Sequence, residues 1–175
     1  MQQTIQQEVS ISGIGLFTGE KATLRLIPAE EGAGIVFRRT DLKFAPIVPA
    51  HLSFVKDAVR CTRLVNEQAS VHMVEHLLSA VRAFDIDNVR IELDGPEIPA
   101  GDGSAKLFVD LIEKAGIKKQ KAPRKVLKIE KPVHWSEGGV HLVALPADEF
   151  RISYTMHYPQ SSLLGSQYYT IAVTP

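Results

Sequence analysis

Two apolar stripes with the period of an α-helix constrain this chain more than any other feature, because its other patterned stretches alternate like β-strands. Val74, Leu77, Leu78 and Val81 recur at i, i+3, i+4 and i+7, which predicts an amphipathic helix over residues 73–84. Leu107, Phe108, Leu111, Ile112 and Ala115 make a second stripe over residues 104–115, with Asp102 or Ser104 as its cap and Gly116 at its close. An alternating strand buries one face and needs a layer to cover it. "KATLRLIPA", with Ala22, Leu24 and Leu26, and "NVRIEL", with Val89, Ile91 and Leu93, are strands of this kind. The expected fold class is α+β, a sheet layered against two helices.

The remaining stretches fill in this frame. Thr4, Ile5, Val9 and Ile11 predict a first strand over residues 4–11, ended by the turn-rich "SGIGLFTGE". "EEGAG" reads as a turn and "GIVFRRTD" as the return strand. Residues 47–66 carry short strands, including "AVRCTRLV", whereas the glycines and prolines of "DGPEIPAGDG" predict a loop. The basic "IKKQKAPRK" reads as a solvated linker. A boundary near 118–125 then closes a first domain, residues 1–120, with a small insert around 50–66.

Beyond the linker the pattern begins again. "ATLRLIPAEEGAGIVFR" resembles "VHLVALPADEFRISYT", each a strand, a Pro-Ala-acid-acid turn and a return strand, with Pro28 matching Pro146. Four strands are expected over 126–134, 140–145, 150–158 and 167–173. The helices that follow position 70 in the first unit would recur near about position 190 in the second. Residues 126–175 therefore read as the beginning of a second α+β domain without its helices, and the chain reads as truncated. A sheet face left bare in this way predicts self-association or a missing C-terminal segment as partner.

Lys+Arg and Asp+Glu are equal at 20 each, so charge makes no case for a nucleic-acid partner. The single cysteine, Cys61, excludes an internal disulfide and suits a reducing compartment. "MQQTIQQEVS" is too polar for a secretory signal, and no apolar run approaches the roughly 20 residues of a membrane span. A soluble, cytoplasmic protein is expected.

The stretch "VHMVEHLLSA" carries the candidate chemistry. Its His72-x-x-Glu75-His76 spacing is that of one class of zinc peptidase, with two histidine ligands and a glutamate that activates water. Against that, His72 falls where the helix starts, as an N-cap with Glu75 third in a capping box, and no further ligand region of the peptidase kind follows. At about 100° per residue, His76, Ser79, Ala80 and Ala83 lie opposite the apolar stripe, with Glu75 at its border. Small residues around one histidine predict a second surface approaching this side. The residues alone leave two readings of Glu75 and His76: a site facing that gap, or a surface glutamate beside a partly buried, hydrogen-bonded histidine. "DGSA", residues 102–105, likewise reads as an anion site or as plain capping.

Several segments, in order along the chain, resemble a known family. "SGIGLFTGEKATLRLIPAEEGAGIVFRR", "CTRLVNE", "MVEHLLSAVRAFDIDNVRIEL" and "GPEIPAGDGSAKLFVDLIEKAGI" are similar to the UDP-3-O-acyl-N-acetylglucosamine deacetylases of lipid A biosynthesis, and "DEFRISYTMHY" to their chlamydia-like members. The resemblance implies two similar α+β domains, Zn2+ as cofactor and UDP-3-O-acyl-N-acetylglucosamine as substrate. It implies Glu75 as general base and His76 as zinc ligand, with Leu16, Cys61 and Thr62 contacting substrate. His72 becomes the helix start. Two departures accompany it. Phe17 stands where the family has a histidine, and the H-K-x-x-D motif with the other two ligands is absent. His134, His141 and His157 match no ligand position and read as structural or exposed. The rival expectation is a non-catalytic remnant, or a partner-binding domain of the same fold.

Overall fold

The computed structural model describes residues 1–174. The chain divides into two compact units, the first ending at Arg124 and the second beginning at Lys125. In chain order the first contains β1 (Gln3–Ile5), β2 (Val9–Ile14), β3 (Lys21–Pro28), β4 (Ile35–Arg39), β5 (Ile47–Pro49), β6 (Val55–Lys56), β7 (Arg63–Val65), β8 (Ser70–His72), α1 (Glu75–Ala83), β9 (Val89–Leu93), α2 (Lys106–Ala115) and β10 (Ile117–Lys119). The fold class is α+β.

A five-stranded sheet in the order β2-β3-β9-β4-β5 forms the centre. Only the β4–β9 pair is parallel. A parallel neighbour needs a crossover of a dozen or more residues, and the segment between β4 and β9 supplies it, carrying α1. Alternation sorts the two faces. Leu24, Leu26, Phe37, Ile91 and Leu93 are fully buried in one core with Leu77, Val81, Phe108 and Ile112 of the helices. Each such side chain contributes roughly 1.5–3 kcal/mol of burial. Between them point Arg25, Arg38 and Arg90, all ion-paired with the near-buried carboxylate of Glu92. β6-β7-β8 form a separate three-stranded sheet, and it is this insert that leads into α1.

Three expectations are corrected here. The single strand over 4–11 is two strands in two sheets, because the polar Gln6 and Gln7 turn aside to donate backbone N–H groups to Gly116 and Ala115 at the end of α2. "AVRCTRLV" is a strand only over Arg63–Val65, since Arg60 adopts left-handed backbone (φ 57°) that a strand cannot continue through. "IKKQKAPRK" is no free linker. Ile117–Lys119 pairs with β1, the Gln120 amide binds the Ala29 carbonyl and the buried Asn88, and Arg124 forks onto Asp87 while pairing with Asp85.

The second unit contains β11 (Val133–Glu137), β12 (Val140–Ala144), β13 (Arg151–Tyr158) and β14 (Gly165–Ala172). These form two separate antiparallel hairpins where one four-stranded sheet was expected. The first begins at Val133 and not near 126, directly after Pro132, which has no N–H to give a ladder. Gly138 and Gly139, both at positive φ, make the two-residue turn that joins β11 to β12. Val133, Trp135 and Leu142 on this hairpin and Ile152 and Tyr154 on the next are exposed. His134, His141 and His157 lie on these strands and are exposed too.

Candidate active site

β8 ends at His72, and Met73 reverses the chain into α1. Met73 holds a left-handed backbone (φ 61°) although it is bulky and buried. Such a conformation costs about 1–3 kcal/mol and persists where its surroundings enforce it. Here the enforcement is visible in the two residues that follow. The Val74 N–H donates to the Thr62 carbonyl (3.4 Å), and the Thr62 N–H donates to Glu75 Oε2 (2.9 Å). Glu75 is the first residue of α1, where a carboxylate also meets the positive end of the helix dipole.

His76, the next residue, faces a pocket of about 310 Å³ that it shares with Leu16, Met73, Ile98, Pro99 and Phe108. The wall is apolar apart from the imidazole and the Asp102 side. Ser79 and Ala83 of the same helix face are exposed, but Ala80 is buried in the core of the unit, where α2 packs against α1. The small residues opposite the stripe thus serve in part a contact inside this unit. Cys61 is half-buried and does not line the His76 pocket.

Gly116, at positive φ, closes α2 as expected, but the N-cap expectation for His72 fails. His72 is the last residue of β8, two positions before the N-cap Val74, and α1 has no side-chain cap. Its ring Nε2 lies 3.2 Å from Ser70 Oγ. Burial, then the cations Arg63 and Arg39, hold it below the ordinary histidine range against the opposing pull of Glu97. α2 starts after Ala105, also without a side-chain cap. Asp102 instead accepts the Ser104 N–H and hydroxyl, and Ser104 Oγ accepts the Lys106 N–H. Ser104 Oγ thus takes up the first N–H of α2 from one position before the N-cap, and the Ser104 donors are satisfied by Asp102 without an anion.

Sequence reasoning missed Glu97. It is 1% exposed inside "PEIP", a stretch read only as loop. Its carboxylate accepts the Phe17 N–H on Oε1 (2.9 Å) and the Thr18 N–H on Oε2 (2.8 Å). Burial pushes this group up, but the donors of Phe17, Thr18 and Leu16 outweigh it and hold the carboxyl below its usual range. An acid flanked by Pro96, Ile98 and Pro99 was the available signal.

The arrangement is a small, largely apolar pocket faced by the His76 imidazole, with the Glu75 carboxylate at the preceding position of the same helix start but outside the pocket lining, on an α+β scaffold. The chain belongs to the LpxC family, described as UDP-3-O-acyl N-acetylglycosamine deacetylase, which it matches over residues 2–175. It is 42% identical over 173 residues to the UDP-3-O-acyl-N-acetylglucosamine deacetylase of Chlamydia pneumoniae, covering 98% of this chain and 61% of that protein. It is 43% identical to the enzyme so named in Chlamydia felis (99% and 61%) and 40% to that of Chlamydia trachomatis serovar D (99% and 60%). The chain thus spans about three fifths of the length of these relatives. Among the described residues no helix is long and apolar enough to cross a membrane.

Proposed function

We propose that this chain supplies one wall of a deacetylase site that removes the N-acetyl group of UDP-3-O-acyl-N-acetylglucosamine in the cytoplasm, with Glu75 as general base and His76 as one zinc ligand. The observation that carries this is the start of α1, where Glu75 is pinned by the Thr62 N–H and His76 faces the pocket shared with Leu16. Catalytic zinc takes three protein ligands. Among the described residues no group of three His, Cys, Asp or Glu side chains could hold a metal, so these residues alone do not fit the ion.

What the chain's own residues do is move a proton and shape the pocket. With Oε2 engaged by Thr62, Oε1 of Glu75 takes a proton from the water that adds to the acetyl carbonyl. The same proton then passes to the departing amine as the C–N bond breaks, and the acetic acid released ionises to acetate. Met73 and Thr62 fix the carboxylate before substrate arrives, which is where preorganisation contributes. Leu16, Cys61 and Thr62 are the proposed substrate contacts. The exposed apolar faces of β11–β14 are the proposed contact with a further segment or a second copy.

The test is a fusion of this chain to the part of the Chlamydia pneumoniae deacetylase outside the aligned region. The fusion is expected to bind zinc and deacetylate the UDP-sugar. Glu75→Ala keeps the metal and cuts kcat by about 10²–10⁴, as loss of a general base does. His76→Ala loses the metal, and His72→Ala leaves both metal and turnover in place. Equal zinc loss from His72→Ala and His76→Ala would restore the two-histidine site and defeat this assignment. The 175-residue chain alone is expected to hold zinc substoichiometrically, and one tight zinc per chain would show the ligand set to be wrong. A fusion that binds substrate but never turns over favours the partner-binding alternative.

A further inference from the structure

We infer that Glu97 is a positioning residue that struts the Gly15–Thr18 turn against the β8–α1 junction, holding Leu16 on the pocket that His76 faces. Glu97 makes two sets of contacts that run in different directions. Through its backbone neighbourhood it belongs to β8: the His72 N–H donates to the Pro96 carbonyl (2.9 Å), and the Ile98 N–H donates to the His72 carbonyl (3.3 Å). Through its side chain it belongs to the turn, whose consecutive N–H groups at Phe17 and Thr18 converge on the carboxylate. Consecutive converging N–H groups form a nest that holds an anion. In this protein the anion is its own Glu97.

The two glycines of "SGIGL" are explained by the same contact. They are two apart along the strand and its exit, so both look toward residues 97–99. A Cβ on Gly15 would sit 2.5 Å from Glu97 Oε2 and 2.5 Å from Thr18 Oγ1, and a Cβ on Gly13 would sit 2.9 Å from Pro99 Cβ. The Ala100 N–H closes the seam on the Ile14 carbonyl (3.0 Å). Gly15 is therefore required for the carboxylate to reach the turn, and the turn carries Leu16, 65% exposed, at the mouth of the pocket. The turn is also closed on itself, by the Gly15 N–H on the Glu20 carbonyl (2.9 Å) and the Gly19 N–H on the Gly15 carbonyl (3.1 Å), and Glu97 adds its tie to the β8–α1 junction. Hydrogen bonds to a charged acceptor are about twice as strong as neutral ones, and a buried carboxylate without donors is costly. Glu97 and the turn thus order each other.

The part concerning substrate rests on the function proposed above, and the experiment separates the two. In the 175-residue chain, amide hydrogen exchange is followed at Phe17 and Thr18, with Leu78 of α1 as the control for folding. Glu97→Gln, which keeps shape and loses charge, and Gly15→Ala, which blocks the approach, are each expected to speed exchange at 17 and 18 by about tenfold or more. Leu78 should stay unchanged. The double variant should do no more than either single one, because both break one contact. Additive effects, or exchange at 17 and 18 no faster than in the parent, overturn the strut, as does equal loss at Leu78. In the fusion, Glu97→Gln should raise KM several-fold at unchanged kcat, since Leu16 shapes binding and Glu75 is untouched. A fall in kcat at unchanged KM would place Glu97 in the chemistry and defeat the positioning role. A parent fusion without activity would remove the functional reading while the exchange data still decide the strut.

Discussion

Phe108 and Phe37 offer a measurement of whether the pocket beside His76 is open to solvent. Both rings are buried, Phe37 on β4 at 0% exposure and Phe108 on α2 at 2%, but only Phe108 borders the 310 Å³ pocket. Phenylalanine-to-alanine changes in a core cost about 3–5 kcal/mol, part transfer free energy and part cavity, the latter near 24 cal/mol per Å³ of void. At Phe37 the void is sealed by the sheet and the full cavity cost applies. At Phe108 the lost ring merges with existing space that water reaches, so most of that cost is absent. Phe37→Ala should therefore destabilise by close to 5 kcal/mol and Phe108→Ala by close to 3, a gap of about 2 kcal/mol. The assay is urea unfolding followed by helical circular dichroism, because among the described residues both helices lie in the first unit, while Trp135, the only tryptophan, reports on the second. Equal midpoint shifts, or a larger one for Phe108→Ala, would show that the pocket is not the connected space argued here.

Arg124→Ala should lower the stability of the first unit by about 1–3 kcal/mol, since it breaks a forked pair with Asp87 and a second contact with Asp85. A change under about 0.5 kcal/mol in the same urea assay would restore the solvated linker. Acid should destabilise the first unit in two windows. His72 is held below its ordinary value of 6.5, so the unfolded chain binds the proton first, and its contribution, complete above 6.5, is lost as pH falls to its native value. Glu97 is held below 4.5, so its contribution is complete above 4.5 and is lost as pH falls through the lower native value. Melting temperature against pH should show both declines, with Glu97→Gln shrinking the lower one without abolishing it, since Arg39 and Ser104 also hold Asp41 and Asp102 below the ordinary carboxylate range; a lower decline unchanged by Glu97→Gln would assign it elsewhere.

Most of the fold was legible because its elements are amphipathic. Leu24, Leu26, Ile91 and Leu93 announce their strands by period, and Val74, Leu77 and Val81 their helix, because burial on one face writes that pattern directly. Elements whose order comes from polar contacts were misread. Gln6 and Gln7 look like strand continuation until the end of α2 claims their N–H groups, and Arg124 looks like solvated charge until Asp85 and Asp87 are brought to it from 37 or more residues away. Hydrogen-bond partners distant in sequence leave no periodic trace. The His72 cap failed for a related reason: β8 runs directly into α1 through Met73, so backbone geometry and the Thr62 pairing start that helix without a capping side chain.

The candidate site divides along the same line. Glu75 and His76 stand out because they are polar residues on a helix whose neighbours are apolar or small, a local contrast. Glu97 does not stand out, because its meaning lies in its partners, the N–H groups of Phe17 and Thr18 about 80 residues earlier. Those partners are backbone N–H groups, which any residue but proline would supply at 17 or 18. That bears on the one departure at the turn, where Phe17 replaces a histidine that the resemblance leads one to expect. The side chain has changed, but the N–H at 17 still reaches Glu97, and Gly15 still admits the carboxylate. The turn can thus keep its place at the pocket mouth while the residue that projects from it varies, so the substitution alters what Phe17 presents to a ligand without disturbing where Leu16 stands.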